Sequence, residues 1–188
     1  MRWDALFEDL EGQMWAEERL SLEAEISERA RVESAAVVLS DRLRGSLGQH
    51  VTAGLVTGAL VEGTLAHAGA EALVLNEGRH QVLVPYAAVT RYGGLGRLAH
   101  AERSTVRKAL GMASSLRAMA RDRSELAVSL LGQEATPAVY GVMDRVGRDY
   151  FDLAVVPRGE ARRRDNVSGL WTVPFTALVA IRSQRDLA

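Results

Sequence analysis

The chain has 188 residues, 47% of them apolar, and a formal net charge of −1, enough to bury the core of one large or two small domains. It contains no cysteine, which excludes a disulfide framework and thiolate metal sites and fits a reducing compartment. The start, Met1-Arg2-Trp3-Asp4, lacks the basic-then-apolar order of a secretory signal, and no apolar run reaches the roughly 20 residues of a membrane span. A cytoplasmic protein is expected, with no membrane association.

Charge is unevenly spread. Residues 1–28 carry about −7, leaving about +6 on the remainder. Within this acidic head Trp3, Leu6, Phe7, Leu10 and Met14 recur at three-to-four spacing, the signature of an amphipathic helix over residues 1–33. Trp15, Leu22, Ile26 and Ala30 continue at a shifted phase, so a bend near Gly12 and a pair of helices both fit. The stripe suits a helix docked on its own domain. A sharper alternative is a partner or dimerisation helix, with Trp3, Leu6, Phe7 and Leu10 as contacts.

Residues 35–39 form a short apolar run that reads as strand or helix. Ser40-Asp41-Arg42-Leu43-Arg44 starts a short helix that stops at Gly48. Strand-like segments follow at 50–56, 59–68, 72–76, 81–84 and 89–92, with a turn at Pro85-Tyr86-Ala87-Ala88. Strands this short and this regularly spaced point to a small barrel or sandwich.

The pattern is then written again. Residues 61–75 align without a gap on residues 139–153, matching Gly63 with Gly141 and Gly69 with Gly147. Val84-Pro85-Tyr86 matches Val173-Pro174-Phe175, and Leu43-Arg44 matches Leu116-Arg117. The offset grows from about 78 to about 89, so the second copy has gained about eleven residues before its fourth strand. Gly63 and Gly141 are expected to permit a mid-strand bend, and Gly69 and Gly147 a positive-φ hairpin turn. Pro85 and Pro174 end a strand, with Tyr86 and Phe175 plugging a barrel end. These shared residues are assigned to folding.

Between the copies, Gly93-Gly94-Leu95-Gly96 reads as a linker or, less simply, a phosphate cradle before a helix over 102–121. On that helix Arg103, Arg107, Arg117 and Arg121 fall within about 80° of arc. Arginine is the default cation here, Lys108 being the single lysine.

The expected fold is therefore α+β and mainly β. The N-terminal helix (1–33) precedes two tandem helix-plus-five-strand small barrels, at 34–98 and at 99–188 with the linking helix. A helix followed by five bent strands with a glycine mid-way along the second resembles the Sm-like small β-barrels, over residues 40–92 and 104–181. That family reads uridine with an acidic residue, an asparagine and an Arg-Gly pair. Here Gly69 and Gly147 stand near the acidic position, Leu73 and Phe151 near the asparagine, and Pro85-Tyr86 and Pro174-Phe175 replace Arg-Gly. The resemblance implies the shape without the uridine pocket. The opening Met1-Arg2-Trp3-Asp4-Ala5-Leu6-Phe7 is also similar to a family from high-GC Gram-positive bacteria, some of whose members are labelled Fis-type regulators. No helix-turn-helix accompanies that label.

No catalytic signature is present. His50, His67, His80 and His100 are scattered without metal-ligand spacing, and neither a nucleophile elbow nor a Walker loop occurs. Neither an enzyme nor a bound cofactor or metal is expected. The insertion at 158–166 carries Arg158, Arg162, Arg163 and Arg164 and is followed by Trp171. Guanidinium groups beside an aromatic suit phosphate binding and base stacking, although such a run is also what a solvated hairpin carries. The expected role is a regulatory or binding adaptor. Nucleic acid (DNA or RNA) is its favoured partner, on Arg103, Arg107, Arg117, Arg121, Arg162, Arg163, Arg164 and Trp171, and the acidic head could compete for that surface. The alternative is a protein–protein module that oligomerises or scaffolds through barrel edges and the N-terminal helix.

Overall fold

A computed structural model describes residues 2–105, 111–133, 138–160 and 162–184. The chain divides into two units, Met1–Val38 and Leu39–Ala188. The first is a single α-helix, α1 (Arg2–Ala36). It runs unbroken through Gly12, and residues 35–36 continue it rather than starting a strand. Its large apolar side chains are exposed, Trp3 by 72%.

The second unit opens with α2 (Leu39–Arg44) and then β1 (His50–Leu55), β2 (Leu60–Ala68), β3 (Ala72–Glu77), β4 (His80–Pro85) and β5 (Val89–Gly93). After α3 (Met112–Asp122) come β6 (Glu125–Leu130), β7 (Val139–Val146), β8 (Tyr150–Val155), β9 (Gly169–Pro174) and β10 (Leu178–Gln184). The strands of the first copy lie within a residue or two of their expected places, because alternating apolar positions set them. In β2 the burial alternates at every residue from Val61 to Leu65.

The expectation of two closed small barrels is overturned. All ten strands form one antiparallel sheet in the order β5-β1-β2-β3-β4-β10-β6-β7-β8-β9. Closing the first five strands on themselves would require β4 to reach β5. Instead β4 pairs with β10, Ile181 opposite Leu83 and Arg182 opposite Val82. Among the described residues β5 and β9 end the sheet as free edges.

The internal repeat is nonetheless literal. Each half runs in the same permuted order, and each bulges at matching places, at Leu65/His67 in β2 and Met143/Arg145 in β7. Matching side chains fill matching core positions: Leu73 and Phe151, Leu75 and Leu153, Leu43 and Leu116 are all fully buried. The two cores also interlock. Ala72 and Leu83 from the first copy pack into the second core, while Val179 and Ala180 from the second complete the first. Separating the copies would expose both cores, so the hydrophobic effect favours one continuous sheet over two barrels.

Glycine roles divide. A Cβ at Gly63 would run into the carbonyl oxygen of Asn76, and one at Gly141 into that of Ala154, so both glycines are required by close backbone approach. The hairpin glycines Gly69 and Gly147 do not adopt the positive φ expected of them. Each instead donates its N–H across the turn, to Ala72 O at 2.9 Å and to Tyr150 O at 2.8 Å. Tyr86 and Phe175 have no barrel end to plug but occupy matching positions, donating their backbone N–H to Glu71 O and Asp149 O. Only Tyr86 adds a hydroxyl, which donates to Gly69 O at 2.9 Å. In the second copy the Arg117 guanidinium takes over that role, donating to Gly147 O at 3.1 Å.

Candidate nucleic-acid interface

The insertion leaves β8 at Val155 and rejoins the sheet at Gly169. Four of its residues are fastened by hydrogen bonds or an ion pair. The Gly159 N–H donates to Glu125 Oε2 at 2.9 Å, Arg162 pairs with Asp144, and Asn166 Nδ2 donates to Glu160 Oε2 at 3.1 Å. Ser168 returns to Val155 O through its N–H at 2.9 Å. Gly159 has φ +83, a left-handed turn that suits glycine, and Arg164–Asn166 form a 3-10 turn. Asp144, by hydrogen bond first and charge second, raises the pKa of Arg162 further. Arg163 and Arg164 are exposed.

Trp171 lies on β9 opposite Leu153, 40% exposed, with Leu170 beside it still more open. Among the described residues β9 is the last strand of the sheet.

The expected four-arginine helical stripe is not formed as such. Glu102 to Ser104 are not helical, Arg107 lies outside the described residues, and α3 starts only at Met112. What starts it is Gly111, whose extended backbone precedes the first turn, with the Met112 N–H donating to Glu71 Oε2 at 2.6 Å. Arg117 and Arg121 share α3, and Arg117 is engaged with Gly147 O. Of the helix contacts, Trp3, Phe7 and Leu10 are exposed. The side chain of Leu6 lies outside the described residues.

The insertion also walls a cleft that the sequence did not disclose. Arg158 places its guanidinium 5.4 Å from the centre of the Tyr140 ring, a cation–π distance. The cleft beside them holds about 310 Å³ and is lined by His80, Glu125, Ala127, Tyr140, Arg158 and Arg182, among others. Arg158 was a visible signal as the first cation of the insertion. Tyr140, Glu125 and Arg182 come from three strands whose adjacency is set only by the sheet order. A larger cleft, about 550 Å³, is lined by Arg44, Leu47, His67, Gly69, Glu102, Ser114 and Ser115 among others, and Arg44 there is paired with Asp41.

Among the described residues no group of three or more His, Asp or Glu converges as metal ligands would. No helix there is long and apolar enough to cross a membrane. Comparison of the chain with protein-family models and with curated proteins found no match.

Proposed function

We propose that this protein is a non-catalytic, cytoplasmic binding adaptor whose partner is nucleic acid, held along the arginine-bearing insertion of the second repeat. The observation that carries this reading is the anchoring of the insertion. Four of its residues (Gly159, Arg162, Asn166 and Ser168) are tied by hydrogen bonds or an ion pair, while Arg163 and Arg164 remain exposed. A merely solvated charge run needs no such fastening. An ordered loop also loses less entropy when it meets a phosphate backbone. Trp171 supplies an accessible aromatic face two strand residues past Gly169.

Binding of a labelled single strand, followed by anisotropy over a salt series, tests the reading. The expected result is measurable binding at low salt. In the double variant R163Q/R164Q the log–log salt slope becomes shallower by about 1.4, from about 0.7 per phosphate contact. A wild-type chain that binds neither DNA nor RNA at low salt sinks it.

The free edge β9 favours a second reading. Leu170 and Trp171 sit exposed on an edge strand, the setting in which a partner's extended segment adds to a sheet, and α1 presents Trp3 and Phe7. Under this reading W3A/F7A or L170E disperses a complex in sizing experiments.

A further inference from the structure

The row of residues Tyr140, Ala127, Arg182 and Val82 runs straight across β7, β6, β10 and β4. Directly opposed residues in an antiparallel sheet share a face, so Tyr140 and Arg182 stand on either side of Ala127. Strand spacing puts them roughly 10 Å apart. Alanine between two long side chains leaves a slot, and this slot is the floor of the 310 Å³ cleft. A flat ring with both walls at about 3.5–4.0 Å fits such a gap.

Both walls are prepared for a ring. Tyr140 offers an aromatic face. Arg182 is held edge-on by Glu77, through Nε at 2.8 Å and Nη2 at 3.3 Å, which fixes its guanidinium plane and neutralises its charge while leaving the plane's face for stacking. The cleft also has directional groups. Glu125 is oriented by the Gly159 N–H on Oε2, keeping Oε1 as an acceptor for an N–H on a ring edge. The Arg158 guanidinium lies 5.4 Å from the Tyr140 ring centre, and His80 is exposed at the rim.

We propose that this cleft at the seam of the two repeats binds one nucleobase with its phosphate, the ring lying over Ala127 between Tyr140 and Arg182. Glu125 receives a ring-edge N–H and Arg158 pairs with the phosphate. Bases are commonly held by stacking on aromatic and guanidinium planes, and the volume lies at the small end of ligand pockets, as a single nucleotide requires. The inference deepens the nucleic-acid reading and rests on it only where the nucleotide is part of a strand.

Two titrations test it: a labelled oligoadenylate against an abasic strand of equal length, and nucleoside monophosphates by calorimetry. Each is run on wild type, on A127L, which fills the slot from a half-buried position, and on Y140L, which keeps an apolar side chain without the ring. The expected result is about fivefold or tighter binding of the oligoadenylate over the abasic strand, abolished in both variants, with saturable monophosphate binding. Equal binding of both strands by wild type, with no monophosphate taken up, overturns the cleft and leaves phosphate-driven binding by the insertion standing. Monophosphate binding that A127L abolishes, with no strand bound, supports the cleft and overturns the strand reading. Silence in both titrations overturns both.

Discussion

Glu77 and Arg182, 105 residues apart in sequence, meet in a two-toothed ion pair that fastens β10 to the end of β3. It joins the last strand of the second copy to the first copy, beside the strand pairing that replaces barrel closure. Both side chains are about one-third exposed, so solvent screens the pair. E77Q is expected to cost about 0.5–1 kcal/mol. A double-mutant cycle with R182Q, read from urea midpoints at unchanged m-value, checks it. The coupling should shrink as salt is raised.

The mid-strand glycines make a paired prediction. G63A and G141A each press a methyl group against a backbone carbonyl of the neighbouring strand, and each should destabilise the fold by about 2 kcal/mol or more. G69A should cost less. Its added methyl would lie 3.2 Å from Ala72 O, and the residue does not need a positive φ. Thermal melts of the three variants decide the order.

Tyr86 and Tyr92 predict alkaline behaviour. Burial pushes Tyr92 up to about 12 from its ordinary 10.0, and burial with the neighbouring Tyr92 pushes Tyr86 higher still, against a smaller opposing effect of Arg44. The unfolded chain then releases these protons before the folded one. Their contribution is complete below about pH 10 and is lost as pH rises towards and through 12. The Tyr92 hydroxyl is buried without a hydrogen-bond partner among the described residues. Y92F should therefore gain about 1 kcal/mol at neutral pH, whereas Y86F, losing the bond to Gly69 O, should lose about 1 kcal/mol. Y92F should also retain more stability at pH 11 than wild type.

Glu71 caps a helix that belongs to the other copy, its carboxylate accepting the Met112 N–H. E71A removes both the acceptor and a negative charge at a helix start and should cost about 1–2 kcal/mol. E71Q keeps an acceptor and should cost about half as much. Hydrogen exchange of the amides early in α3 is the local readout.

Local pattern was enough for much of this chain. The alternating run through Val61 and Leu65, the turn at Pro85-Tyr86 and the match of Gly63 to Gly141 depend on nearest neighbours along the strand and were legible without a structure. So was the repeat, down to the alignment of Leu73 with Phe151. The insertion stood out because it breaks that match, while the cleft it walls did not.

What the residues next to one another could not convey was which strand β4 would meet. A period-two pattern says which face is buried, and it is silent on partner and closure. That choice follows from the interlocked cores, in which Leu83 is covered by the second copy and Ala180 by the first. The same choice brings His80 opposite Gln184 and Glu77 into its ion pair with Arg182. Residues 42 positions apart become the two walls of one slot because β10 and β7 both pair with β6.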